Sequence, residues 1–113
     1  MLKIAWAPEY AHPLPSGHRF PMEKYTVLPE QLLYEGTVSP GNFFTPAPLP
    51  EADILTTHAT GYWHKLKSLS LSPVEIRRTG FPLSEALVRR EVTIAHGTVQ
   101  AAHHALAHGA AMN

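Results

Sequence analysis

The sequence predicts an α/β unit that is mostly helical, carries one or two short strands, and is incomplete as a domain. Three observations point there. One long amphipathic helix fills the last third, from Ser84 to His108. A short apolar strand, Leu2 to Trp6, opens the chain. Between the two, proline confines regular structure to short pieces. The chain has 11 prolines, about twice the average share, and nine of them lie between Pro8 and Pro50.

Leu2-Lys3-Ile4-Ala5-Trp6 alternates weakly and is stopped by Pro8, as a short strand would be. Glu9 to Pro21 holds three prolines and a glycine, which forbid regular structure and predict a loop. Pro21 stands where a first helical residue belongs, and Met22, Tyr25 and Leu28 follow at helical spacing. Pro29 should then start a second short turn through Leu33, closed by Gly36. Thr37 to Pro50 is a further proline-rich connection with a brief strand at Asn42-Phe43-Phe44. Glu51, Ala52 and Asp53 open a helical turn into Ile54-Leu55, with acidic residues at its positive end. Tyr62, Leu66 and Leu69 share one helical face after Gly61. Ser72-Pro73 begins a short piece ending at Gly80, and Phe81-Pro82 forms the hinge into the long helix.

In that helix Ser84 is a good N-cap, Glu85 suits the first turn, and Gly109 is the expected stop. Val88, Val92, Ala95, Val99, Ala102 and Leu106 fall on one face and predict the buried side. A second row, Gly97, Ala101 and Ala105, is small enough to let the backbone lie close to a neighbouring element. Ala110 to Asn113 is apolar and extended, with no polar tail, so the sequence reads as cut.

Composition bounds the function. At 113 residues the chain is one domain at most, with an ordinary 44% of hydrophobic residues. Nine basic residues balance nine acidic ones, so no net field draws the chain to nucleic acid or an anionic membrane. Cysteine is absent, which excludes disulfide and thiolate chemistry. No signal peptide is expected, and no stretch approaches the roughly 20 apolar residues that cross a bilayer. A soluble, cytoplasmic protein is the expectation.

Of the eight histidines, four crowd into His96 to His108. His104 and His108 stand four apart, as two zinc ligands on a helix would. No carboxylate accompanies them, and the His-Glu-x-x-His pattern is absent; a metal site there is only a weak alternative. His103 and His104 are adjacent in a helix, so their side chains diverge by about 100 degrees and cannot serve one substrate together. There is no Gly-rich phosphate loop and no nucleophile elbow. Ser16-Gly17-His18-Arg19 is more promising. It lies in a loop with Tyr10 and His12 directly after a strand, where open α/β sheets place ligand sites.

Several segments together resemble the zinc-dependent deacetylase family, which contains histone deacetylases, acetylpolyamine amidohydrolases and acetoin-utilisation proteins. The likeness is to small bacterial and class IV members. It is carried by His12-Pro13 followed by Gly17-His18-Arg19-Phe20-Pro21-Met22-Glu23-Lys24-Tyr25, then Ala52-Asp53-Ile54-Leu55-Thr56-Thr57-His58 with Tyr62 and Leu66. Gly80-Phe81-Pro82, then Gly97-Thr98 with Ala101-Ala102, and the close at Gly109-Ala110-Ala111-Met112-Asn113 complete it.

The resemblance implies the N-terminal third of a three-layer α/β/α, arginase-deacetylase-like domain with short parallel strands. It implies a parent reaction of metal-assisted amide hydrolysis on acetylated lysine or a similar acyl-amine, with Zn2+ as cofactor. The family's tandem histidines, zinc ligands and carbonyl-polarising tyrosine would lie beyond Asn113, so no catalytic residue, no bound zinc and no deacetylation are expected of these 113 residues. Leu14, Pro15, Ser16, Gly17 and His18 would form one wall of the substrate tunnel, and Arg19 would line a product channel. Gly80, Phe81 and Pro82 would stand at the rim; Gly80 replaces an aspartate by which class I relatives grip substrate, which puts peptide-backbone recognition in doubt. Two other readings stand beside this one: a non-catalytic interaction module, or a small histidine-based metal binder. Apolar helix faces left uncovered predict self-association.

Overall fold

Three short parallel strands lie at the centre of the molecule, which a computed structural model describes over residues 1–113. Strand β1 (Lys3–Ala5) is flanked by β2 (Phe43–Phe44) and β3 (Ala111–Met112), in the order β2-β1-β3. Ile4 stands opposite Phe43 and Met112, which fixes both registers. The Trp6 amide extends the ladder by donating to the Phe44 carbonyl at 3.0 Å. Asn42 pins the incoming edge, its Nδ2 donating to the Leu2 carbonyl at 2.8 Å. Parallel neighbours need long crossovers, and here helices fill both of them. The class is mixed α/β.

The first crossover holds α1 (Lys24–Tyr34), which corrects the expected break at Pro29: the helix runs straight through it. Proline cannot donate to the carbonyl four residues back, that of Tyr25. The Trp6 indole N–H fills the gap, donating to the Tyr25 carbonyl at 2.6 Å. A side chain from the strand thus satisfies the acceptor that the proline leaves free.

The second crossover holds α2 (Glu51–Ile54), α3 (Thr60–Lys67), α4 (Pro73–Thr79) and α5 (Glu85–His108). The expected face Tyr62–Leu66–Leu69 is corrected as well. Leu69 lies past the end of α3 with φ +58°, and the buried side chain is Trp63. Helix α4 begins as its sequence predicts. The Ser72 hydroxyl accepts from the Glu75 amide at 3.2 Å, and the Glu75 carboxylate accepts from the Ser72 amide at 2.7 Å. Lys65 adds an ion pair at 2.9 Å. The Ser72 amide and this pair hold the Glu75 carboxyl at about 2, well below the usual carboxylate range.

Helix α5 spans the predicted residues, with Ser84 accepting from the Leu87 amide at 3.0 Å. Its buried row is not the predicted one. Leu87, Arg90, Thr93, Gly97 and Ala101 face inward, while Val99 and Leu106 are 43% and 88% exposed. Close approach decides this. A Cβ on Gly97 would collide with the Tyr10 hydroxyl and lie 2.9 Å from Asn113 Oδ1, so only glycine lets the helix settle here. Ile94 packs against Ala5, Ala7 and Tyr10, a small core under the helix. The result is a slab of 45 × 35 × 16 Å with a radius of gyration of 15.7 Å, against about 13 Å for a compact domain of this length. No helix is long and apolar enough to cross a membrane.

Candidate functional site

The carboxyl end of β1 runs through Ala7, which is fully buried, into a single 3₁₀ turn, Pro8–Tyr10. Tyr10 is buried and works from both ends. Its hydroxyl donates to Asn113 Oδ1 at 2.6 Å, tying the turn to the residue after β3. Asn113 Nδ2 donates in turn to the Ile94 carbonyl at 2.9 Å and to Thr98 Oγ1 at 2.8 Å, both on α5. The Tyr10 carbonyl accepts from Arg90 Nε at 2.7 Å. Burial, then the neighbouring Tyr25, push the Tyr10 phenol up to about 12 against the opposing pull of Arg90.

Arg90 is 4% exposed. One guanidinium nitrogen donates to Glu91 Oε1 at 2.7 Å, and the group lies 4.9 Å from the Tyr25 ring centre and 5.6 Å from that of Phe20. Cation–π contacts of this kind suit a guanidinium that has lost most of its water. Beside it sits His12, buried, with neither ring nitrogen bonded to a protein group. Burial first, then the charge of Arg90 and of His18, lower the His12 pKa, against the pull of Glu91, so the ring is neutral at physiological pH.

The two rim segments meet through His18. Its Nε2 lies 2.9 Å from the Gly80 carbonyl and its Nδ1 accepts from the Phe20 amide at 3.1 Å, which requires the Nε2–H tautomer. The His18 ring stacks on Phe81 with centroids 5.4 Å apart, and Phe20 meets Phe81 edge-on at 5.2 Å. Gly80 closes α4 in the left-handed region with φ +79°, where an aspartate would be strained. Sequence therefore placed Leu14–His18 and Gly80–Pro82 in two separate segments, and the structure joins them at the carboxyl end of the sheet.

Other candidates stand apart. Arg19 is exposed, with no ion pair or hydrogen bond to its guanidinium within this chain. Leu14 is half-buried, and Pro15, Ser16, Gly17 and Pro82 are exposed. His104 and His108 stack with centroids 6.1 Å apart, and His104 leans on Phe44 at 4.5 Å. No third ligand joins them, and nowhere do three His, Asp or Glu side chains converge. Arg90 was the residue that pattern reading missed. Its signal was there: it lies seven before Gly97, on the small-residue row extended backwards.

His12 gives a direct test. A buried donor or acceptor left unpaired costs about 1–3 kcal/mol, so His12→Leu is expected to raise stability at neutral pH by about 1 kcal/mol. Its folded pKa is lowered, so the unfolded chain takes the proton first. Stability then falls as pH drops below 6.5. Urea melts at several pH values should show that limb flattened in His12→Leu. A destabilised variant with an unchanged slope would remove this account.

No family model matches the sequence. Over 110 residues, 97% of the chain, it is 34% identical to an uncharacterized protein of Picosynechococcus sp.. The chain spans 37% of that relative's length.

Proposed function

We propose that the chain supplies the substrate-tunnel rim and the scaffold helix of a zinc-dependent deacetylase of the three-layer α/β/α, arginase-deacetylase-like kind, acting in the cytoplasm on acetylated lysine or a related acyl-amine. The observation that carries this is the meeting of the 14–19 loop with Gly80–Pro82, through His18, at the carboxyl end of parallel strands. That end is where open α/β sheets bind ligands. The sequence likeness runs through the same two segments.

Zinc in such an enzyme would polarise the acyl carbonyl and activate water. The residues of this chain do not fit that metal, since no three ligand-type side chains come together. No step of the hydrolysis is therefore assigned to them. Their work is to shape one wall: His18 and Phe81 present a flat aromatic surface, and Arg90 with Tyr10 and Asn113 hold the turn beneath it. An interaction module is the second reading, favoured by the bare row Val99, Ala102 and Leu106 on α5, which also suits self-association.

The test uses N-acetyl-lysine amide with the chain alone. Binding should perturb the NMR signals of His18 and Phe81, with no zinc-dependent release of acetate. Perturbations confined to other surfaces would overturn the rim assignment, and zinc-dependent turnover would overturn the division of labour.

A further inference from the structure

The outer side of α5 carries an apolar row that the fold leaves uncovered. Ala95, Val99, Ala102 and Leu106 lie within about 60 degrees of one another around the helix, opposite the buried Arg90, Gly97 and Ala101. All four are exposed, Leu106 by 88% and Val99 by 43%. From Val92 to Asn113 the chain holds no Asp, Glu, Lys or Arg, so beyond its histidines this side has no charge to favour water.

The order of sizes along the row is complementary to itself. When a second α5 is laid antiparallel about a point between Gln100 and Ala101, Leu106 meets the partner's Ala95. In the same register Val99 meets the partner's Ala102. Each large side chain then faces a small one in both halves of the contact, as interdigitating helices about 8–10 Å apart require. Val92 and Gly109 extend the same alternation at the ends.

Two properties of the whole molecule point to a second copy as the occupant. The chain exposes 7234 Å², whereas a compact monomer of 12.5 kDa exposes about 6,200 Å². The excess, about 1,000 Å², is enough for one side of a standard interface, which takes about 800 Å². Nine basic and nine acidic residues cancel, so two copies approach without net repulsion.

We infer that the chain forms a two-fold symmetric homodimer through α5, with the two helices antiparallel and crossing between Gln100 and Ala101. No rim residue takes part, so the inference does not depend on the deacetylase reading. Further polypeptide, of the kind that the longer relative carries, is the competing occupant. The self-complementary order of sizes and the balanced charge favour the second copy.

The test uses the full chain at neutral pH. Sedimentation from micromolar to millimolar concentration should show monomer and dimer and nothing larger, because a two-fold contact closes on itself. Leu106→Glu should weaken the dimer about tenfold or more. Leu28→Glu, at a position of α1 that is 56% exposed, should leave it unchanged. Thiols then read the register, since the chain has no cysteine. Ala95→Cys/Leu106→Cys should oxidise to a covalent dimer. Neither single variant should do so, because like positions lie about 16 Å apart in this register, beyond the reach of a disulfide. A monomer at every concentration would overturn the inference and leave the face to further polypeptide. Leu28→Glu as damaging as Leu106→Glu would overturn the choice of surface. Ready cross-linking by Leu106→Cys alone would overturn the antiparallel register.

Discussion

Gly97→Ala is expected to destabilise the chain by about 2 kcal/mol, although alanine is the better helix former by about 1 kcal/mol. The opposing effect is steric and larger. The added methyl would collide with the Tyr10 hydroxyl and sit 2.9 and 3.1 Å from the amide atoms of Asn113. Those groups cannot swing aside cheaply, because Tyr10 is 2% exposed and Asn113 bonds to Tyr10, Ile94 and Thr98 at once. Overpacking of this kind typically costs about 1–3 kcal/mol, and a broken Tyr10–Asn113 bond adds about 1 kcal/mol. Tyr10→Phe removes the hydroxyl that the methyl meets. The double variant Tyr10→Phe/Gly97→Ala should therefore be more stable than Gly97→Ala alone, a coupling that chemical denaturation can read. Gly97→Ala as stable as the parent would show that α5 does not depend on this close approach.

Arg90→Met is expected to cost about 1–3 kcal/mol. Four terms compete. Methionine avoids burying a charge, which favours the variant. The Tyr10 carbonyl loses its donor at 2.7 Å, and the aromatic faces of Tyr25 and Phe20 lose their cation. Glu91 loses a partner, yet its side chain is 46% exposed, so water solvates the stranded carboxylate and that loss is small. The carbonyl and the rings decide the sign. A second readout separates this from loss of packing alone. Arg90 helps to lower the His12 pKa, so in Arg90→Met the acid limb caused by His12 should still begin near 6.5 but end at a higher pH, with less stability lost in all. An unmoved limb would mean that the guanidinium does not act on His12.

Much of the local structure was legible in the chain itself. Ser84 and Gly109 bound α5, Ser72 with Glu75 opens α4, and the strand at β1 was visible in five residues. These features depend on neighbours within one helical turn or one short strand. The continuous α1 was not legible, because the donor that rescues the Tyr25 carbonyl comes from Trp6, nineteen residues earlier. Nor was the contact of His18 with Gly80, 62 residues apart. For the candidate site, the sequence named both rim segments but could not bring them together. It pointed to Arg19, which is exposed, and passed over Arg90, which is buried.

Residue pattern by itself determined the ends of α5 and the start of α4, that the long helix has an apolar row beside a row of small residues, and which loops hold the polar candidates. Tertiary structure decided which row is buried. The buried row includes Arg90 and Thr93, so hydrophobicity alone would not have chosen it. The row with Gly97 was taken because a helix without a side chain there can lie against the Tyr10 hydroxyl and Asn113, and the later part of the bulkier row, Ala95, Val99, Ala102 and Leu106, was left facing outward.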